Sequence, residues 1–204
     1  MPNTIITIAR SYGSGGRTIG KMVAEKLGYA YYDRNLIYLA SDKSGIDIRL
    51  LFEHDENVKK GIIDKISEIG VKSIPPESRN LSSSEEIFNT QARVIKDLAD
   101  LGDAVMIGRC AGHILKGSGH KLVRVFIWAS PEKCLETVMN KFSISAAEAK
   151  RTINDIDRHR REYFKYYTGN DWDSAKNYDL SICIDDLPPE EAVDRIIDFS
   201  RIIR

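Results

Sequence analysis

Between residues 11 and 18 the chain reads Ser11-Tyr12-Gly13-Ser14-Gly15-Gly16-Arg17-Thr18. Three glycines in four positions let the backbone turn tightly and aim several amide hydrogens at one point, an arrangement that binds anions. A guanidinium follows at once, permanently charged and able to fork onto phosphate oxygens. A hydroxyl comes next, of the kind that ligates a hard divalent cation. Residue types in this order suit a polyphosphate.

The order is that of a phosphate-binding loop, in which glycine, four residues and Gly-Lys-Ser/Thr link a strand to a helix. Two positions depart from it, with Ser11 at the first glycine and Arg17 at the lysine. On this reading Gly13, Ser14, Gly15, Gly16, Arg17 and Thr18 hold the phosphates of ATP as co-substrate. Arg17 also serves as a catalytic charge, and Thr18 as the ligand of Mg²⁺. Two other readings stay open. The glycines could form a tight turn with Arg17 solvated. Alternatively Gly13-x-Gly15 with Gly20, and Asp33 about twenty residues on, could be a degenerate dinucleotide-binding loop of an oxidoreductase.

A second group of cations lies late in the chain, in Asp157-Arg158-His159-Arg160-Arg161. Arg158, Arg161 and Lys165 share a helical face. Arginines that close over a transferring phosphoryl group stabilise the charge on its oxygens, so Arg158, Arg160 and Arg161 are catalytic candidates. A salt-bridged surface helix accounts for the run equally well, through Asp157 with Arg161 and Arg158 with Glu162 at i,i+4 spacing. Arg109 follows a buried apolar run and a glycine, a position suited to holding an acceptor's phosphate or to a structural ion pair. Neither His113 nor His120 has metal-ligand spacing.

The elements that must position these groups alternate strand and helix. Thr4–Ala9 is a β-branched run suited to a buried strand. Ile19, Met22, Val23 and Leu27 recur at helical spacing until Gly28 stops the helix, and residues 29–32 form a second strand ending at Asp33. An amphipathic helix begins at Ser84. Further strands follow over 104–107, 122–128 and 180–184, with Pro131 opening the helix after the fourth. Helices are expected over about 146–167 and 190–203. The sum is an α/β fold with five parallel strands covered on both faces. Residues 34–80 are charged, partly helical and closed by Ile74-Pro75-Pro76, and read as an inserted helical excursion.

Composition narrows the partners. In 204 residues, Lys plus Arg and Asp plus Glu are both 30. A net charge of zero argues against coating nucleic acid or an anionic membrane, since both need a cationic surplus. No apolar run reaches the roughly 18 residues of a membrane span. Cys110, Cys134 and Cys183 are too few and too scattered for a disulfide framework. A cytoplasmic protein acting on small molecules is expected, with its oligomeric state undefined.

Together, Gly13 to Gly20, Tyr31-Tyr32-Asp33, Gly108-Arg109-Cys110-Ala111, Asp157-Arg158-His159-Arg160, Tyr167-Thr168-Gly169 with Trp172, and Asn177-Tyr178-Asp179-Leu180 resemble the cytidylate kinase-like family, a branch of the nucleoside monophosphate kinases. Arginine in the glycine loop is a feature of that branch. The resemblance implies a P-loop kinase-like three-layer α/β/α domain. Its core would be residues 1–33, 84–145 and 178–204, with a helical acceptor insertion at 34–83 and a mobile helical lid at 146–177. It also implies ATP-dependent phosphoryl transfer to a nucleoside monophosphate or a related small molecule, with Asp33, Arg109 and Asp157 binding the acceptor. In cytidylate kinases an aspartate follows the Gly-Arg pair and a serine the aspartate of the second strand; here Cys110 and Arg34 occupy those places. A nucleotide-binding sensor that performs no catalysis would keep the same loop.

Overall fold

The computed structural model describes residues 2–33 and 84–203; the expected insertion at 34–83 lies outside them. The chain divides into two compact units, residues 1–33 with 98–204, and residues 34–97. The first carries the sheet. Its strands are β1 (Thr4–Arg10), β2 (Ala30–Tyr32), β3 (Ala104–Ile107), β4 (Lys121–Trp128) and β5 (Leu180–Cys183). Helices α1 (Gly16–Leu27), α2 (Ser84–Leu101), α3 (Ala111–Ile114), α4 (Pro131–Phe142), α5 (Ala146–Thr168) and α6 (Pro189–Ile202) accompany them. Residues 84–97 of α2 belong to the second unit.

All four strand pairings are parallel, in the order β2-β3-β1-β4-β5. Strand β3 therefore lies between β1 and β2. In the dinucleotide-binding order 3-2-1-4-5 the second strand pairs with the first, so this topology does not support the oxidoreductase reading. Strand alternation explains the core. Ile6 and Ile8 of β1, Val105 and Ile107 of β3, and Val123, Val125 and Ile127 of β4 share one face, packed with Ile19 and Val23 of α1 and Val193, Ile196 and Ile197 of α6. The opposite face carries Ile5, Thr7, Met106 and Phe126, also buried. Burial on both faces is why these strands read as near-continuous apolar runs rather than alternating ones.

Helix ends follow their sequence signals. Gly28 closes α1 in the left-handed conformation, and Ser130, followed by Pro131, caps α4 by accepting the Lys133 amide. Ser145 and Glu148 form a reciprocal capping box at the start of α5. Because the strands are parallel, the loops at 11–15, 108–110, 129–130 and 184–188 all gather at their carboxyl edge, where open α/β sheets bind ligands. The last two loops are tied directly, since Asp185 accepts the Ser130 amide at 2.8 Å.

One ion pair fixes the return of the chain to the sheet. Arg124 of β4 donates to Asp179 through its backbone amide (2.8 Å), Nε (3.0 Å) and Nη2 (2.5 Å). Nearby, Phe126 stacks on Tyr178 and meets Trp172 edge-on, and the Tyr178 hydroxyl donates to the Trp172 carbonyl. These contacts account for Trp172 and Tyr178 as anchors of the 169–179 segment. Burial alone would raise the Asp179 pKa, but the hydrogen bonds and charge of Arg124 outweigh it and hold it below the usual value. A depressed carboxylate stabilises the fold above its unfolded pKa, about 3.9, and loses that contribution as the pH falls through its folded value. Asp179→Asn should therefore cost about 1–3 kcal/mol at neutral pH. In denaturant titrations the gap from the unaltered protein should shrink on acidification below about pH 4.

Candidate active site

The glycine loop leaves β1 after Arg10 and enters α1 at Gly16. Gly15 is the N-cap residue, with φ +76°, so its conformation is left-handed. A side chain there would meet no neighbour within 4 Å but would be strained by its own backbone. Gly16 has a different reason to be glycine: an added Cβ would lie 2.6 Å from Arg10 Cβ and 3.3 Å from Ile127 Cβ. Gly16→Ala should accordingly cost about 1–3 kcal/mol as an overpacking defect, read as a lowered Tm. Ser14 is wholly buried, its hydroxyl donating to the carbonyls of Ser11 (2.9 Å) and Ile127 (3.2 Å). Its side chain thus braces the loop from below. Gly15, Arg17 and Thr18 are exposed, at the N-terminus of α1 where unpaired amides and the helix dipole favour an anion.

Arg17 forms an ion pair with Asp33, which lies just beyond β2. The carboxylate is mostly covered and the guanidinium half exposed, so the cation is held at the mouth of the loop. Tyr31 adds a hydrogen bond from its hydroxyl to the Arg17 carbonyl at 3.3 Å. Burial, then the Asp33 charge, push the Tyr31 pKa up to about 12, which keeps that hydroxyl a donor. Arg17, Thr18 and Asp33 are therefore brought together.

Arg109 is placed by an unusual backbone. Gly108, Arg109 and Cys110 all have positive φ (73°, 56° and 54°). For the two non-glycine residues this costs of order 1–3 kcal/mol each, a strain found mainly at functional sites. The half-buried guanidinium of Arg109 lies near the Tyr163 hydroxyl of α5 and feels the Asp33 carboxylate; burial lowers its pKa. Cys110 is buried, and burial pushes its thiol up to about 12. It is neutral where the cytidylate kinases carry an aspartate.

The cation run on α5 separates into two groups. Asp157 and Arg160 point inward, their side chains each 9% exposed. Asp157 accepts the Tyr12 amide at 3.0 and 3.2 Å through its two oxygens. Arg160 donates to the Arg10 carbonyl at 2.9 Å and to Asp157 at 3.1 Å, and its guanidinium lies over the Tyr12 ring. Both residues thus meet the glycine loop and the end of β1. The other cations are more exposed: Arg158 pairs with Asp155, Arg161 with Asp173 beside the Trp172 ring, and Lys165 with Asp171. Arg158 and Arg161 stay more than half exposed. Sequence reasoning missed Tyr12 and Tyr163. The available signal was that Asp157, Arg160 and Tyr163 recur every third residue on one face of a helix. An open cavity of about 390 Å³ adjoins the loop, bordered by Ser11, Asp157 and Arg161 with Phe126, Trp128 and Trp172.

Thr18 offers one exposed hydroxyl oxygen beside the anion cradle. That fits Mg²⁺, which takes few protein ligands and completes its shell with phosphate oxygens and water. Among the described residues no helix is long and apolar enough to cross a membrane.

The chain and its fold are similar to known proteins. A cytidylate kinase of Thermoplasma volcanium is 24% identical over 201 residues, covering 96% of this chain and 93% of that one. A crystal structure of an uncharacterized Eubacterium ventriosum protein superposes with a TM-score of 0.71 at 21% identity, covering 98% of this chain and 99% of that one. The shikimate kinase of Bacteroides thetaiotaomicron gives 0.54 at 13% identity, over 98% and 99%. These two structural likenesses speak for the fold: a parallel five-stranded sheet of the P-loop kinase type. The family model of the cytidylate kinase-like proteins matches residues 5–186, a span that runs from β1 through the loop, Arg109 and α5 to the end of β5, and the chain belongs to that family.

Proposed function

We propose that the protein is an ATP-dependent phosphotransferase whose acceptor is a nucleoside monophosphate or a related small phosphorylated molecule. The observation that carries this reading is the left-handed Gly15 capping α1, with Gly15, Arg17 and Thr18 exposed and Arg17 paired with Asp33. The cradle and Arg17 bind the β- and γ-phosphates of ATP, and Thr18 ligates Mg²⁺. Mg²⁺ held there would supply positive charge that stabilises the phosphates during transfer. Arg109, presented by its strained backbone on the same sheet edge, holds the acceptor's phosphate. Of the α5 arginines, Arg158 and Arg161 keep enough exposure to approach the transferring group, while Arg160 is committed to the loop. Catalysis consists of positioning and charge stabilisation, without a covalent intermediate.

The buried, neutral Cys110 thiol offers no carboxylate to a base amino group, which speaks for an acceptor other than CMP or for looser base selection. The test is ADP release from MgATP across a panel of nucleoside monophosphates and small phosphorylated alcohols. Turnover with one acceptor well above the rest supports the enzyme. Tight MgATP binding with no turnover across the panel would replace it with a nucleotide sensor.

A further inference from the structure

We infer that Asp157 and Arg160 are positioning residues that hold the glycine loop in its phosphate-binding shape, so that α5 works as a fixed strut at this point. Four contacts converge here. The Tyr12 amide lies one residue before Gly13, and both oxygens of Asp157 accept it. The Arg10 carbonyl, at the end of β1, accepts from Arg160, which also binds Asp157 and covers the Tyr12 ring. The clasp therefore brackets the start of the loop, gripping the backbone on both sides of Ser11.

The chemistry favours rigidity. An anion cradle works by presenting amides that are already aligned, which removes the ordering cost from binding. The first half of this loop has no regular secondary structure, since α1 begins only at Gly16. Besides its own turn hydrogen bonds, the loop's alignment draws on groups outside it. A carboxylate receiving a backbone N–H is a charge-assisted hydrogen bond, stronger than a neutral one. With only 9% of each side chain exposed, Asp157 and Arg160 offset one another's burial. Removing one member costs the other its charged neighbour in a covered site. The arrangement also commits the Tyr12 amide to Asp157, leaving the later amides for the phosphates.

The nucleotide-binding half of this inference rests on the phosphotransferase reading; the clasp itself does not. The experiment compares the full chain with Asp157→Asn, an isosteric change. Two quantities are read, the hydrogen exchange rate of the Tyr12 amide without ligand and the MgATP dissociation constant by calorimetry. Arg160→Gln is the second variant should Asp157→Asn not fold. Lys165→Ala, an exposed residue of α5 paired with Asp171, is the control for general damage to the helix. Exchange at Tyr12 should rise by about tenfold or more as the local hydrogen bond is weakened. MgATP should bind about tenfold more weakly, the equivalent of one charge-assisted hydrogen bond, with both effects absent in Lys165→Ala. A merely structural role would lower the Tm without changing the affinity of the folded protein. Unchanged Tyr12 exchange would overturn the clasp, and raised exchange with unchanged affinity would overturn its role in binding. Absence of MgATP binding by the unaltered protein would instead sink the phosphotransferase reading, while Tyr12 exchange still decides the clasp.

Discussion

Replacing Arg17 with alanine is expected to lower kcat/KM for MgATP by about 10²–10³, the loss seen when one preorganised group is removed from a developing negative charge. Two effects add. The substitution deletes the cation nearest the phosphates, and it unmasks Asp33, whose mostly covered carboxylate is now paired with Arg17. An anion left at the mouth of an anion site repels the ligand. The double variant Arg17→Ala with Asp33→Asn should therefore recover part of the loss, because residues in direct contact are not additive. Steady-state kinetics on Arg17→Ala, Asp33→Asn and the double variant measures that coupling. Full additivity would show that the pair does not act as a unit.

Arg109→Ala is expected to raise the acceptor KM by about 10²-fold, some 2.7 kcal/mol, with a much smaller change in the MgATP KM. The reasoning starts from the backbone. Residues 108–110 hold three consecutive positive φ values, and alanine at 109 keeps that strain, so the fold should change little. What disappears is a guanidinium that the Tyr163 hydroxyl and the Asp33 charge hold in place. A forked cation binds phosphate through paired hydrogen bonds that a small side chain cannot replace. Equal rises in the MgATP and acceptor constants would remove Arg109 from the acceptor site.

These expectations draw on features of unequal visibility in the sequence. The strand, loop and helix around Gly13–Thr18 are legible because each is local: β-branched residues make β1, the glycines permit the turn, and Gly28 stops α1. Alternation of strands and helices likewise implies a parallel sheet. It does not give the strand order, because that β3 sits between β1 and β2 depends on pairing between segments about seventy (β2 with β3) and about a hundred (β1 with β3) residues apart. The α5 run shows the same division. Helical spacing groups Asp157 with Arg160, and Arg158 with Arg161, yet it cannot say which face turns inward. The inward face is the one that meets Tyr12, 145 residues away in the chain. Nothing local in the sequence marks Tyr163 as a neighbour of Arg109. Long-range partners decide these roles, and no local pattern encodes them.

The central claim is that backbone amides between Gly15 and Thr18 receive the phosphates of a nucleotide. Amide resonances of Gly15, Gly16, Arg17 and Thr18 report on this directly in a titration with MgATP. These four should move most and saturate together, and adenosine without phosphates should leave them in place. Binding of MgATP with these resonances unmoved, or no binding at millimolar nucleotide, would contradict it.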